Sequence, residues 1–231
     1  MSPFFSEEFS LPPDQLSIKR ENILKGLDVP PGHEDPYVDS LIDEITGQSL
    51  EIASPSACYA IYEAPEFIDK IHLHITELEF TLNRIVLSAL KKSSHLAVFI
   101  CTAGKGPGEL SRGFISEGHS LEGLIADLIG SEIAEEAAEF IHRKIGFDMQ
   151  ERDMQITNRY SPGYCNWPVS DQQNLFHLMN GHTCGVQLTE TSLMLPIKSV
   201  SGFVGVGTEV RYSGYSCNKC DAEFCIYRDR R

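Results

Sequence analysis

The 231-residue sequence is short of basic side chains: 19 Lys and Arg stand against 33 Asp and Glu, for a formal charge of −14. So acidic a chain repels a phosphate backbone, and its one basic cluster, Arg228-Asp-Arg-Arg231, is interrupted by an acid. Both points argue against nucleic acid as a partner. No apolar run approaches the length of a bilayer span, and the opening Met-Ser-Pro-Phe-Phe-Ser-Glu-Glu lacks the basic-then-apolar pattern of a signal peptide. The expectation is no membrane contact and a cytoplasmic protein. Cysteines number seven, an odd count with three crowded at the end of the chain, which suits a reducing compartment better than a disulfide framework. Internal repeats and low-complexity linkers are missing too. Residues 1–231 are therefore expected to form a single domain, with an extended N-terminal arm over 1–13 and a Cys-rich tail over 212–231.

What is present is an ordinary globular composition, 42 % hydrophobic and 23 % charged. Helical spacing of apolar residues predicts helices from Asp35-Pro36 onward, over Thr81 to Lys92, from Ser120 to about Ile145 with Gly146 ending it, and over Asp171 to Met179. The nearly continuous apolar run Leu96-Ala-Val-Phe-Ile-Cys101 reads as a strand buried on both faces. Ala57 to Tyr62, Ile71 to Ile75, Val186 to Leu188, Met194-Leu and Ser201 to Arg211 read as further strands. Helices and strands without a regular β-α alternation predict an α+β domain with a largely antiparallel twisted sheet and flanking helices. Gly104-Lys-Gly-Pro-Gly108 follows a strand but lacks the phosphate-loop spacing, so it reads as a turn.

The most informative stretch is Arg159-Tyr-Ser-Pro-Gly-Tyr164-Cys-Asn-Trp167. Pro162 presets φ for the second position of a β-turn, and Gly163 accepts the positive φ that a type II turn requires next. Ser161, Pro162, Gly163 and Tyr164 thus form a shaped bend beside Arg159. A guanidinium fork matches a carboxylate, and an aromatic face attracts a cation. One small zwitterionic ligand uses both; the plainer alternative is a rigid surface turn whose arginine pairs with a nearby acid. On the preceding helix Asp127, Ser131, Glu135 and Glu139 recur at steps of four and line one face. Read alone, that face is a solvated stripe.

Three ordered blocks carry a family resemblance: Ala126 to His142, the Arg159–Tyr164 bend, and Leu188-Thr-Glu-Thr-Ser-Leu-Met-Leu-Pro-Ile-Lys-Ser-Val-Ser-Gly202. Together they resemble the activation domain of cobalamin-dependent methionine synthase, most of all its free-standing forms. The resemblance runs over about residues 95 to 228, more weakly through Ile23–Tyr62. It implies a subunit that binds S-adenosylmethionine and supports reductive methylation of cob(II)alamin. The cobalamin would be carried by a separate methionine synthase or corrinoid protein, with a flavodoxin- or ferredoxin-like electron donor. It also implies roles: Arg159 for the methionyl carboxylate, Glu135 for a polar edge, and Ser161, Pro162, Gly163 and Tyr164 for the wall along the ligand. A register shift would move the acid's role to Glu132 or Glu139. An acid that the family draws from its N-terminal part is not assigned to a position of this sequence. Glu190 and Lys198 read equally well as site residues or as sheet-edge charges. The alternative function is a metal- or corrinoid-protein-binding accessory module without a methyl donor.

Cys217-x-x-Cys220-x4-Cys225 has the local spacing of zinc or iron–sulfur ligation, with no fourth ligand in the run. Free or redox-active thiols are the alternative. Assay of purified protein for zinc and iron, before and after a chelator, separates the two. Ligating thiols are expected to yield bound metal, whereas a metal-free, stably folded preparation would remove the metal site.

Overall fold

The run His95–Thr102 lies in the middle of a five-stranded sheet, which is why both of its faces are apolar. In this computed structural model, residues 3, 5–33, 35–63 and 65–213 are described. In chain order they form β1 (Phe5–Ser10), α1 (Arg20–Gly26), α2 (Pro36–Ile52), β2 (Ser56–Glu63), β3 (Glu66–Phe67), β4 (His72–Ile75), β5 (Leu78–Thr81) and α3 (Arg84–Leu90). There follow β6 (His95–Thr102), α4 (Gly106–Ser116), α5 (Ser120–Gln150), β7 (Gln155–Tyr160), α6 (Gln172–Leu178), β8 (Gln187–Leu188), β9 (Met194–Leu195) and β10 (Ser199–Gly207). The main sheet has the order β1-β2-β6-β10-β7 with every neighbouring pair antiparallel. A three-stranded β3-β4-β5 sheet and the β8-β9 pair stand apart from it. The expected α+β architecture with an antiparallel sheet and flanking helices is the observed one. Among the described residues no helix is long and apolar enough to cross a membrane.

Alternation along the strands divides the core in two. Ala57, Tyr59 and Ile61 of β2, with Ala97, Phe99, Val204 and Val206, face α5 through Ala137, Ala138, Ile141 and Ile145. The opposite face, including Cys58, Val98, Ile100 and Phe203, is covered by Trp167, α6, α3 and the small sheet. Each fully buried large side chain contributes about 1.5–3 kcal/mol relative to exposure. The N-terminal half of α5 extends beyond the sheet and packs Ile125, Ile129 and Ile133 on Ile23, Ile42 and Ile45.

Several boundaries differ from the sequence reading. The helix expected to stop at Gly146 continues to Gln150, because Gly146 is packed against Ile156 and Met149 is still buried. Its reversal comes at Asp153, which takes the left-handed φ of 56°. The helix expected from Thr81 starts at Arg84, where the Asn83 side chain caps the Ile85 N–H, and Leu78–Thr81 is a strand instead. The arm is partly a true strand: Phe5–Ser10 pairs along β2 and extends the sheet. The strand β7 was not anticipated at all.

His142 marks the helix–sheet interface. It is 7 % exposed, and its Nε2–H donates to the Thr157 carbonyl at 2.8 Å. Burial holds its pKa below the ordinary 6.5 despite that hydrogen bond, and the Arg159 charge lowers it further. As pH falls below that ordinary value the unfolded chain takes up the proton first, so stability declines and levels off below the folded pKa. Thermal melts between about pH 7.5 and 5.5 should therefore show a larger loss for the native chain than for His142→Gln.

Candidate functional site

Register decides which way Arg159 points. Arg159 is opposite Val204 and Tyr160 opposite Phe203, and directly opposed residues share a sheet face. Arg159 therefore faces α5, while Tyr160 packs with the other core. Its guanidinium Nη2 lies 3.5 Å from a carboxylate oxygen of Glu135 and 3.5 Å from one of Glu139. The arginine side chain is only 14 % exposed, whereas the two acids are 49 % and 39 % exposed. Further along the same helix face, Lys198 Nζ sits 2.7 Å from Asp127 and donates to Ser131 Oγ at 3.0 Å.

The stripe Asp127, Ser131, Glu135, Glu139 is thus a charged seam closed by Lys198 at one end and Arg159 at the other. It is not a bare solvated face. Of the alternatives to Glu135, Glu139 shares the arginine, while Glu132 accepts from Asn22 at 2.8 Å and so faces α1. Lys198, left undecided by the sequence, belongs to the seam. The signal for it was its place in the Leu188–Gly202 block.

The bend after β7 is a pair of interlocked turns. Tyr164 N–H donates to the Ser161 carbonyl at 3.2 Å with Gly163 at φ 93°, the geometry Pro162-Gly163 implies. A second turn, closed by Trp167 N–H to Tyr164 O at 3.0 Å, has Cys165 and Asn166 both left-handed, at φ 50° and 57°. Gly163 N–H to Trp167 O, 2.8 Å, ties the two together. Trp167 roots them: its ring is 4.9 Å from Phe203 and its indole N–H donates to Asp171 at 2.9 Å. Tyr164 is left 44 % exposed beside this anchored frame.

Two adjoining clefts, of about 920 and 350 Å³, open at the start of α4, and the smaller one reaches Lys198. Neither is lined by Glu135, Arg159 or residues 161–164. The arginine end of the seam is therefore not part of these cavities. Cys217, Cys220 and Cys225 lie outside the described residues. Among the described residues no group of three or more His, Cys, Asp or Glu is arranged to hold a metal ion.

An antiparallel α+β module with a charged seam between its longest helix and its edge strand is the class of protein defined here. The chain belongs to the vitamin B12 dependent methionine synthase activation domain family, whose profile matches residues 75–231. The described fold is also similar to the crystal structure of the MetH reactivation domain bound to AdoHcy. That similarity has a TM-score of 0.64 and 14 % identity, over 92 % of this chain and 83 % of that one. At this identity the likeness is one of fold, and it extends over residues N-terminal to the profile match.

The seam depends on a close approach of β10 to β7. A Cβ added to Gly202 would lie 2.2 Å from the Tyr160 carbonyl oxygen and 3.0 Å from Ser161 Oγ. Gly202→Ala should therefore displace the start of the bend and lower stability by about 1–3 kcal/mol. The neighbouring Ser201→Ala, which removes a buried hydroxyl without a hydrogen-bond partner, should be near neutral. Thermal unfolding of the two variants checks the contrast.

Proposed function

We propose that this chain, as a single domain over 1–231, binds S-adenosylmethionine along the α5 seam. There it supports reductive methylation of cob(II)alamin held by a separate methionine synthase or corrinoid protein in the cytoplasm. A flavodoxin- or ferredoxin-like protein would supply the electron. The observation that carries the reading is the placement of Arg159 between two half-exposed carboxylates and the Ser161–Tyr164 bend.

The residues fit the methyl donor. S-adenosylmethionine offers a carboxylate, an ammonium group, a sulfonium and ribose hydroxyls, and its net charge is a single positive one. One guanidinium with Glu135 and Glu139 is a cluster of single negative charge, so the two complement each other. The contacts from Arg159 to two half-exposed acids are long, at 3.5 Å each, so a ligand carboxylate offers the arginine fork a better-shaped, bidentate partner. The freed glutamates are then available to the ammonium group or ribose hydroxyls. Tyr164 presents an exposed ring to the sulfonium, and the backbone of Ser161, Pro162 and Gly163 forms the adjoining wall.

Cobalamin on the partner supplies the nucleophile for the methyl group. This chain's part is to fix the donor's orientation and keep water from the sulfonium. No side chain here needs to act as acid, base or nucleophile.

A second reading is an accessory module that docks the corrinoid protein without a methyl donor. It is favoured by one observation, that Arg159 is already paired and lines neither cleft. Calorimetry with S-adenosylmethionine separates the two. Arg159→Ala should weaken binding by about 2–4 kcal/mol, on the order of 30- to 1000-fold in Kd, and Arg159→Lys should recover only part because it loses the fork. Arg159→Ala also removes the packing of a mostly shielded side chain, so the melting temperature of each variant is measured beside its binding. Absence of binding by the native chain would leave the docking reading.

A further inference from the structure

The sheet face opposite α5 carries a pair of thiols to which the seam gives no role. Cys58, in the middle of β2, is fully buried. Its sulfur is 3.6 Å from the Ile100 carbonyl oxygen and 3.1 Å from that of His182. Cys184 reaches the same Ile100 carbonyl from above, at 3.9 Å. The two sulfurs therefore converge on one acceptor, the Ile100 carbonyl.

Their exposure is unequal. Cys184 is partly exposed and lines the 920 Å³ cleft. It sits in a connection whose Asn180, Gly181, Cys184 and Gly185 all have positive φ, so the thiol is held by a left-handed backbone that cysteine rarely adopts unaided. Cys101, the next cysteine along β6, belongs to the α5 face and is screened from the pair by the sheet.

We propose that Cys58 and Cys184 are a redox-active dithiol, with Cys184 the thiol open to small disulfides from the cleft and Cys58 the resolving thiol. The Cys184 thiolate attacks one sulfur of a low-molecular-weight disulfide, forming a mixed disulfide and releasing one small thiolate. The Cys58 sulfur then displaces the second small thiolate, its proton leaving with that group. Two protein thiols lose two electrons and two protons, and the small disulfide becomes two thiols. The product bond ties the 181–186 connection to β2 and fixes one wall of the cleft.

The division of roles follows from their surroundings. The neighbouring Cys184 thiol and then burial push the Cys58 thiol far above the ordinary range, so it is not the attacking group in the reduced protein. Once Cys184 is bound in a mixed disulfide, it no longer carries a thiol to oppose ionisation of Cys58.

The test is peptide mapping by mass spectrometry after treating the folded full-length chain with oxidised glutathione. A Cys58–Cys184 crosslink is expected in the native chain. It should disappear in Cys184→Ser, and Cys58→Ser should retain glutathione on Cys184. In the reduced protein, alkylation of Cys184 should run at least about 10-fold faster than that of Cys58. Cys165 packs against the same core and is the competing thiol. If Cys184 stays unmodified while other cysteines react, or if it joins Cys165 or a C-terminal cysteine instead of Cys58, the assignment is overturned. The crosslink map of the native chain decides the matter even if Cys58→Ser fails to fold.

Discussion

The close lie of α5 on the sheet is the constraint from which the rest follows. Ala137 and Ala138 on the helix share one buried cluster with Ala57 and Ala97 on the strands, and such small residues let helix and sheet backbones approach closely. With its middle pinned there, the helix can present only one flank to the edge strand β7. That flank carries Glu135 and Glu139, and the side chain of β7 directed toward it is Arg159. The charged seam is thus a consequence of where an alanine-lined contact places a 31-residue helix.

The two cations of the seam are not equivalent. Lys198 is held at 2.7 Å from Asp127 with a second bond to Ser131, a short and well-directed pair. Arg159 is held at 3.5 Å from each of two acids, neither contact within hydrogen-bonding distance. Coulomb attraction falls with distance and is heavily screened where the acids face water. The lysine end is the shorter and better-directed of the two pairs, and the arginine end is spread over two acids.

Much of this was legible in the amino-acid sequence, for identifiable reasons. Pro162-Gly163 dictates its turn through local dihedral preferences, and the central strand β6 is marked by an uninterrupted apolar run. The four-residue steps along α5 showed that Asp127, Ser131, Glu135 and Glu139 share a face. What that face meets was hidden, because the facing residues come from β7 and from just before β10, tens of residues away. The strand β7 itself, Gln-Ile-Thr-Asn-Arg-Tyr, alternates too weakly to announce a strand, having only one strongly apolar side chain in its first half. Its partner β10 supplies the pairing that local propensity does not. Gly146 misled for a related reason: a glycine in helical sequence signals an end or a close packing contact, and only the position of Ile156 shows which.

The candidate site draws on both layers of the fold at once. The acids come from the helix on one face of the sheet. The bend is held from the other face, where Trp167 packs on Phe203, and Phe203 packs in turn on Phe80. Asp171 joins this root by accepting from both the Trp167 indole and the Thr81 backbone, so the bend is tied to the small sheet as well. At β7, an edge strand of the main sheet, chain rooted on one face can pass around to meet side chains of the other. Arg159 is the penultimate residue of that strand, still fixed in register and already next to the bend. An arginine one residue later would point into the Trp167 core, and one two residues later would ride on the turn without a sheet to orient it. The position of the guanidinium therefore follows from strand register and from the burial of Trp167 together, and neither alone would aim it at α5.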